Sequence, residues 1–495
     1  MQTLPANPAL YEINTRVWLR QFDSTDKRAT LHDIPDAFWS DLHDKGMHIV
    51  WLMGVWQINA GALYENDLSA ELRTGYDEAL PDWSDEDVIG SPYAIDEYVV
   101  ADDLGGREGL AHVRKQLARY KLRLMLDFVP NHFSRATRLL TSHPDVFVST
   151  KHDSEHPDSF NPELFFTHET GSLFAHGRDP FFAPWWDTVQ VNYASAIARD
   201  YMTAVLQEIA SQCDGVRCDM AMLDMNDIFQ RTWSSQVVME MPQSEFWVDA
   251  IAVVKDTHPK FLFMAEAYWD KEWDLQQQGF DYTYDKRLTD RLESGDVAGV
   301  AGHLHANADY QSRSVRFIEN HDEPRAVKAF GREASLAAAV IVSTLPGMHF
   351  FHDGQWQGKA VRLPVQLGRE PVEATDEGVT AFYDDLLPII NLPVFQHGQW
   401  TLLSPASAWP SNELHGNILA WQWQDATTQA VVIVNMSGDK AQCRLVLPSD
   451  IRTQELLIND VLNGTQYRRA VEEITGDGLY IELGAWRSHV FLIGG

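Results

Sequence analysis

Cysteine is scarce in this sequence. The 495 residues contain only three cysteines, Cys213, Cys218 and Cys443. An odd and sparse set of this kind is not the pattern of a disulfide framework. No Cys/His spacing typical of a zinc site accompanies them. The sequence therefore predicts neither a fold held by disulfides nor a cysteine-based metal site.

Positive charge is scarce as well. Against 71 Asp and Glu there are 39 Lys and Arg, which gives a formal net charge of −32. The phosphates of nucleic acids and the headgroups of anionic lipids are repelled by such a chain. We therefore expect no nucleic-acid partner and no membrane partner, whereas a neutral partner is not disfavoured.

Long apolar segments are also missing. No run approaches the roughly 20 residues that a helix needs to span a bilayer. The first residues, MQTLPANPALYEINTRVW, lack the basic segment followed by an apolar segment that marks an export signal. The expected location is the cytoplasm.

Apolar residues, at 45% of the chain, suffice for a large core, and the length indicates two or three domains.

Short apolar runs alternate with helical patterns, and eight of these runs predict strands: ALYEINTRVWL, HIVWLMGVW, LRLMLDFVPNH, DGVRCDM, KFLFMAEAYW, FDYTYD, RSVRFIENHD and GMHFFHDGQ. Eight parallel strands separated by helices predict an α/β fold, the (β/α)8 TIM barrel. An open doubly wound sheet is the alternative, but no glycine-rich phosphate loop follows a strand.

Two segments interrupt this alternation. Residues 133–187 are rich in His, Pro, Ser and Phe and follow the third strand, so they predict an inserted subdomain at the carboxyl end of the barrel. The second loop, residues 57–92, is long and is acidic around Asp82 to Asp87. Long loops at this end of a barrel are where substrates bind.

The pattern changes after the helical segment TAFYDDLLPIINLP. Short alternating strands follow: WTLLSP, GNILAWQWQ, QAVVIVNMS, QCRLVLP and HVFLIGG. They predict a C-terminal antiparallel β-sandwich of about 100 residues. The predicted domains are a barrel of residues 1–132 and 188–392, the inserted subdomain 133–187, and the sandwich 393–495.

Polar side chains stand at four strand ends, where a buried parallel strand should have none. A barrel places its catalytic residues at these carboxyl ends. The polar groups are Asp127 with Asn131 and His132, Arg217 with Asp219, Glu266, and His321 with Asp322.

The spacing within two of these ends indicates acid–base chemistry. Alternation in GVRCDM puts Arg217 and Asp219 on one side of the strand and Cys218 on the other, toward the helices. Arg217 then holds Asp219 ionised, as a nucleophile requires. Glu266 lies in the apolar run FLFMAEAYW, where desolvation raises the pKa of a carboxyl group, as a general acid requires. Two carboxyl groups in such unlike surroundings are typical of glycoside cleavage.

Four segments resemble, in order and rough spacing, the four signature regions of the α-amylase family, glycoside hydrolase family 13: DFVPNH (127–132), GVRCDMAM (215–222), FMAEAYW (263–269) and FIENHDEPR (317–325). A fifth, upstream region is matched by GSPYAIDEY (90–98). The resemblance extends from about residue 9 to residue 360. Four regions in the correct order form a highly specific signal, whereas any one alone would be weak.

By this resemblance Asp219 is the expected nucleophile, Glu266 the acid/base, and Asp322 the third carboxylate, which binds sugar hydroxyls and steadies the transition state. The other matched positions surround the bound sugar: His132 and His321 as hydrogen-bonding histidines, Arg217 as the arginine beside the nucleophile, Tyr93 as the stacking tyrosine, and Asp127 as a structural carboxylate.

Three further residues have open interpretations. Arg362, in GKAVRLP, is a candidate sugar-binding residue from the eighth loop, with an ordinary surface arginine as the alternative. Trp185 and Trp186 either line a pocket or pack within the inserted subdomain.

The sequence departs from the family at the leaving-group side. Many members follow the nucleophile with a Lys-His pair that serves this side and, through the histidine backbone, a calcium site. Met222 and Leu223 stand at those positions. Asn131 matches an asparagine that binds calcium in many members, but members without calcium often keep it. No cofactor is expected for the chemistry, and any calcium would be structural.

The expected function is retaining hydrolysis of α-glucosidic bonds in short α-glucosides or in a glucosylated polyol such as glucosylglycerol. The expected partner is therefore a small carbohydrate. A sugar or phosphate, instead of water, also accepts the glucosyl group from such a covalent intermediate. The alternative is therefore a transglycosylase, isomerase or phosphorylase that acts on an α-glucoside such as sucrose, trehalose or maltose. A non-catalytic barrel scaffold is a third alternative, which a missing carboxylate would favour.

Overall fold

The computed structural model of the chain describes residues 3–58, 70–151, 157–447 and 454–494. Within these residues, eight parallel strands close into a barrel in which neighbours follow chain order. They are β1 Ala9–Asn14, β2 Ile49–Met53, β3 Arg123–Phe128, β4 Gly215–Cys218, β5 Leu262–Ala265, β6 Tyr282–Tyr284, β7 Ser314–Arg316 and β8 Met348–His352. The predicted TIM barrel is confirmed, and the open doubly wound sheet is wrong.

The barrel strands read as unbroken apolar runs because both of their faces are buried. Alternate side chains fill the interior of the barrel, among them Trp51, Met125, Met264 and Phe350. Their neighbours along each strand pack under the surrounding helices, among them Val50, Leu124, Phe263 and Phe351. Cys218 belongs to this second layer, as its position in the alternation predicts.

One helix covers each step of the barrel: α1 Asp36–Asp44, α2 Gly106–Arg119, α3 Ala196–Gln212, α4 Phe246–Thr257, α5 Glu272–Gln277, α6 Lys286–Glu293, α7 Arg332–Thr344 and α8 Glu377–Ile390. Polar caps fix several starts, as where Asp376 accepts the amides of Gly378 and Val379 at the start of α8. Further helices span Thr15–Trp18, Ala70–Ala79, Leu139–Ser142, Asn226–Trp233, Val297–His303, Ala308–Ser312, Ala326–Ala329, Pro393–His397 and Val471–Glu473. In the described parts of the chain, none of the helices combines the length and apolarity needed to cross a bilayer.

The segment after β3 forms small antiparallel sheets. The strand His132–Ser134 pairs with Thr188–Gln190, so the two ends of the predicted insert 133–187 lie side by side. Between them, a three-stranded sheet joins Ser149–Thr150, Leu173–Ala175 and Phe165–Thr167. Residues 152–156 of this segment lie outside the described residues.

The loop after β2 is described only in part, because residues 59–69 lie outside the described residues. Its first strand, Trp56–Ile58, pairs with Ile95–Val100. The acidic stretch predicted near its end contacts Arg369, which lies 2.9 Å from Asp87 and 3.3 Å from Asp82. Part of the negative charge is therefore neutralised by the loop that follows β8.

The C-terminal strands are antiparallel: β9 Gln399–Leu403, β10 Ile418–Gln424, β11 Thr428–Asn435, β12 Ala441–Leu445, β13 Glu455–Asp460, β14 Thr465–Ala470, β15 Leu479–Leu483 and β16 Ser488–Gly494. Six form one sheet in the order β9-β10-β11-β16-β13-β14, and β12 pairs with β15. The predicted β-sandwich is confirmed. The large sheet also rests on the barrel, because the indoles of Trp421 and Trp423 donate to the carbonyl of Thr344 at the end of α7.

Candidate active site

One buried guanidinium gathers the three carboxylates at the carboxyl end of the barrel. Arg217, in β4, is completely buried, and its Nη1 donates to Asp219 Oδ1 at 2.6 Å. Its Nη2 lies 2.7 Å from Glu266 Oε2 and 3.9 Å from Asp322 Oδ2. The prediction that Arg217 and Asp219 share one side of the strand is confirmed. Three carboxylates separated by about a hundred residues of sequence thus share one counter-charge.

Aromatic rings enclose this guanidinium. Its central carbon lies 5.3 Å from the ring centroids of Trp51 and Tyr93 and 5.8 Å from that of Tyr284. Desolvation opposes the charge, but the neighbouring Glu266 and the aromatic hydroxyls outweigh it and hold the pKa of Arg217 well above its usual range. Arg217 is therefore a fixed cation whose low-dielectric surroundings strengthen its effect on the carboxylates.

Glu266 follows the last residue of β5 and is 3% exposed. The amide of Met220 donates to its Oε2 at 2.7 Å, and the hydroxyl of Tyr268 donates to its Oε1 at 2.8 Å. Burial raises the pKa of Glu266 to about 7, although Arg217 opposes the shift. A carboxyl group with this pKa both gives and takes a proton near neutral pH.

A strained turn links Asp219 to Glu266. Asp219 comes directly after β4, and its amide donates to the carbonyl of Phe128 at 2.9 Å. Met220 then adopts a left-handed conformation with φ of +43°, which costs a non-glycine residue about 1–2 kcal/mol. This turn points the Met220 amide at Glu266. Backbone strain of this kind is typical of functional sites.

Asp322 forms an ionic chain with His321. His321 Nε2 lies 2.9 Å from Asp322 Oδ2, and His321 Nδ1 lies 2.5 Å from Glu12 Oε1 in β1. Burial opposes protonation of His321, but the two carboxylates raise its pKa well above the usual range. Burial likewise opposes ionisation of Asp322, but His321 and Arg217 hold its pKa well below the usual range. The Asp322 side chain stays 42% exposed, so a charged carboxylate faces the solvent side of the site.

Tyr93 and His132 flank this group. The Tyr93 ring stacks on His321 with centroids 5.4 Å apart, and its hydroxyl lies 2.7 Å from His321 Nε2. His132 begins the short strand after β3, and its ring lies 5.1 Å from Trp185. Burial lowers the pKa of His132, so it is a neutral hydrogen-bonding ring. Trp186 is 48% exposed and packs its edge against His176.

Asp127 supports the site from beneath. It is 2% exposed and accepts hydrogen bonds from Trp51 Nε1 at 3.2 Å and the Gly54 amide at 2.9 Å. Burial raises its pKa to about 6, with Arg217 opposing the shift. Its oxygens thus bind Trp51 in β2 and Gly54 directly after that strand. Because Asp127 also lies beside Arg217 in the pairing of β3 with β4, it connects β2 to the strand that carries Arg217.

Arg362 lies apart from the buried cluster. It is exposed and borders a cavity of about 1250 Å³ that Asp322 also lines. The helix Ala70–Ala79 forms another part of the wall through Gly75 and Glu78. Arg362 is close enough to favour the ionised form of Asp322. It is thus placed at the entrance rather than among the three carboxylates.

Four residues of the site were not predicted from the sequence: Glu12, Trp51, Tyr268 and Tyr284. Glu12, Trp51 and Tyr284 lie within apolar barrel strands and read as ordinary strand positions. Tyr268 follows Glu266 by two residues, and that spacing was the available signal. A lone charge such as Glu12 inside a strand was a second signal, because an unpaired buried carboxylate is costly.

The positions of the family's Lys-His pair are closed to a ligand here. Met222 is completely buried and Leu223 is 3% exposed, and both pack in the core between strands and helices. Their side chains therefore do not line the leaving-group side of the site.

The residues around Asn131 do not fit calcium. The completely buried Gln190 brings its Nε2 within 2.8 Å of Asn131 Oδ1, 2.9 Å of Asn131 O and 3.1 Å of Val191 O. A neutral amide nitrogen thus stands where three oxygens converge, whereas calcium needs six to eight oxygen ligands. No group of three or more His, Cys, Asp or Glu suited to a metal occurs in the described part of the chain.

The sequence also matches known proteins. A family model described as "Alpha amylase, catalytic domain" matches residues 83–377. The chain is 26% identical over 301 residues to "Alpha-amylase MalA" of Haloarcula japonica, covering 59% of this chain and 39% of that protein. It is 22% identical over 321 residues to "Alpha-amylase 3" of Dictyoglomus thermophilum, covering 60% of each. The matches thus span less than two thirds of either relative.

Solved structures show the same fold. The noncanonic maltogenic alpha-amylase AmyB from Thermotoga neapolitana superposes with a TM-score of 0.69 at 17% identity, over 99% of both chains. Because the family model covers more than half of the sequence, the chain belongs to the alpha-amylase family.

Proposed function

We propose that this protein is a retaining glycoside hydrolase that cleaves α-glucosidic bonds of short α-glucosides, with Asp219 as nucleophile and Glu266 as acid/base. The observation that carries the proposal is the shared contact of both carboxylates with the buried Arg217, at 2.6 and 2.7 Å. A retaining enzyme needs its two carboxyl groups on opposite sides of one bond and close to each other.

In the first step, Asp219 attacks the anomeric carbon while Glu266 protonates the departing oxygen, and the glycosidic bond breaks. The glucosyl group is then bonded to Asp219. In the second step, Glu266 takes a proton from water, and the water oxygen displaces Asp219. Arg217, whose Nη1 donates to Asp219 Oδ1 at 2.6 Å, orients the nucleophile for attack and stabilises it as it leaves. The pKa of Glu266, raised to about 7 by burial, suits both proton transfers.

Asp322 and the two histidines hold the sugar. The charged Asp322, fixed by His321 and through it by Glu12, accepts hydrogen bonds from sugar hydroxyls. These bonds strengthen as positive charge develops on the ring in the transition state. Tyr93 offers its ring face, and neutral His132 donates a hydrogen bond. Arg362, at the entrance beside Asp322, binds the outer hydroxyls of the same glucosyl unit.

The preference for short substrates, including a glucosylated polyol such as glucosylglycerol, is part of the proposal. It is supported by the burial of Met222 and Leu223, since these positions supply no contact to a long leaving chain. The helix Ala70–Ala79 lines the cavity that Asp322 borders, and Trp185 of the insert after β3 packs against His132.

The stereochemistry of the first product tests the mechanism. Proton NMR of a fresh digest of a nitrophenyl α-glucoside, whose leaving group is not glucose, is expected to show α-glucose before mutarotation produces the β anomer, because two inversions give net retention. A parallel digest of soluble starch is expected to lose iodine staining slowly. If β-glucose appeared first, Asp219 would not be the nucleophile. Rapid loss of iodine staining with few new reducing ends would contradict the short-substrate preference.

We further propose that the chemistry requires no metal and no organic cofactor, and that Gln190 takes the place of a structural calcium. Gln190→Glu is expected to lower the free energy of unfolding by about 3–5 kcal/mol, because it buries a carboxylate among three oxygens. Added calcium is expected to restore the Tm of this variant, whereas calcium or EDTA leaves the Tm of the unmodified protein unchanged.

The exposed Gln230→Glu in the helix Asn226–Trp233 is the control, with no change in Tm under either condition. A Tm of the unmodified protein that fell with EDTA and recovered with calcium would show that the protein binds the ion.

A further inference from the structure

The position of Glu266 determines where the leaving group lies. Because the acid must protonate the departing oxygen, the leaving group lies on the side of the site where Glu266 stands. The two residues that hydrogen-bond the Glu266 carboxylate, Met220 and Tyr268, also line a cavity of about 540 Å³. This cavity, which we call the leaving-group cavity, is therefore the space beside the acid/base.

Aromatic rings line part of the leaving-group cavity. Phe182 is 71% exposed and lines the cavity together with Trp269. Phe181 packs edge-on against Trp269, with centroids 4.9 Å apart. The adjacent Phe181 and Phe182, 61% and 71% exposed, and the partly buried Trp269 form one apolar surface, and a contiguous apolar surface is suited to contact with a ligand.

The backbone holds these rings in place. The carboxylate of Asp179, which is 4% exposed, accepts the amides of Phe181 at 2.6 Å and Phe182 at 2.9 Å. Trp269 and Asp270 both adopt left-handed conformations, with φ of +60° and +62°. Each costs a non-glycine residue about 1–2 kcal/mol. The fold therefore retains backbone strain that places Trp269 next to the acid/base.

Charged side chains line the same cavity. They include the buried carboxylate of Glu272 and the ammonium of Lys286, which lies 3.2 Å from Glu323. Arg287 lines the cavity as well. A pyranose ring has an apolar face of C–H groups and an edge of hydroxyls, so it matches a cavity lined by both aromatic and charged groups. An acyclic polyol has no flat apolar face to set against the rings.

We propose that Phe182 and Trp269 form the subsite for the leaving group and that this subsite selects a pyranose over an acyclic polyol. The inference rests on the proposed function and narrows it: the preferred substrates are α-glucosides whose leaving group is itself a sugar ring. These rings supply the contact that Met222 and Leu223, buried in the core, do not.

The test compares substrates that differ only in the leaving group. We would measure kcat/KM on maltose, on glucosylglycerol and on α-glucosyl fluoride, whose leaving group is too small to reach Phe182. The unmodified enzyme is expected to prefer maltose to glucosylglycerol. In Phe182→Ala, the ratio of kcat/KM on maltose to that on α-glucosyl fluoride is expected to fall about tenfold, the loss typical of one stacking ring.

Trp409→Ala provides the matched control, because Trp409 is 49% exposed in the C-terminal domain. Its loss is expected to leave kcat/KM on maltose and on glucosylglycerol unchanged relative to kcat/KM on α-glucosyl fluoride. The subsite would be overturned if Phe182→Ala left the ratio of kcat/KM on maltose to that on α-glucosyl fluoride unchanged. It would also be overturned if the ratio of kcat/KM on glucosylglycerol to that on α-glucosyl fluoride fell equally. Failure of the unmodified enzyme to turn over α-glucosyl fluoride would overturn the proposed function itself, and the subsite with it. Because the fluoride needs no leaving-group contact, the two failures are distinguishable.

Discussion

Asp219→Asn is expected to lower kcat/KM on maltose by at least roughly 10,000-fold while the protein stays folded. The amide has nearly the shape of the carboxylate but no negative charge, so it does not attack the anomeric carbon. The fold is retained because Arg217 keeps its contact with Glu266 at 2.7 Å. Circular dichroism and the Tm would show that the loss is chemical.

The control for this variant is Asp256→Asn, the same change at an exposed position in α4, with unchanged kcat/KM. A sharper readout comes from Asp219→Ala with sodium azide. Azide fits the space left by the carboxylate and attacks from the same side, so β-glucosyl azide is the expected product. Substantial turnover by Asp219→Asn, or α-glucosyl azide from Asp219→Ala, would place the nucleophile elsewhere.

The barrel was predictable from the sequence because its strands are buried on both faces. Strands such as β2 and β8 have no exposed residue, so they stand out as apolar runs between amphipathic helices. The ends of strands were less predictable. The run ALYEINTRVWL predicts one strand, but β1 ends at Asn14 and Thr15–Trp18 is helical, since Val17 and Trp18 pack equally well from a helix.

The strands of the C-terminal domain were predicted less completely than those of the barrel. Three strands, β13, β14 and β15, were not predicted. β14 lies at the edge of its sheet, and its sequence TQYRRA has no buried residue. It is a strand because β13 supplies its hydrogen-bonding partners. A strand that depends on register rather than on burial leaves no hydrophobic pattern in the sequence.

The candidate site was predictable where chemistry and strand ends coincide. Asp219, Glu266 and Asp322 follow barrel strands directly or closely, so the fold brings them together. Glu12 could not be assigned, because its partner His321 lies 309 positions away. The exclusion of Met222 and Leu223 from the site also depends on packing that spacing does not reveal.

Glu266→Gln is expected to separate substrates by the quality of their leaving group. General acid catalysis contributes roughly 100- to 10,000-fold, and maltose needs all of it because its departing alkoxide is a strong base. Nitrophenolate leaves without a proton, so kcat/KM on a nitrophenyl α-glucoside is expected to fall far less. The exposed Glu108→Gln in α2 is the control and leaves both values unchanged. Equal losses on both substrates would show that Glu266 is not the acid.

The pH profile gives the same residue a second, independent test. Burial raises the pKa of Glu266 to about 7, so the protonated acid predominates below this pH and is lost above it. The rate of the unmodified enzyme on maltose is therefore expected to fall on the basic side from about pH 7. Glu266→Gln is expected to lose the basic limb on maltose, whose leaving group needs the proton, because the amide does not titrate. A basic limb that persisted in this variant would belong to another group, and the assignment of Glu266 as the acid would then rest on its position alone.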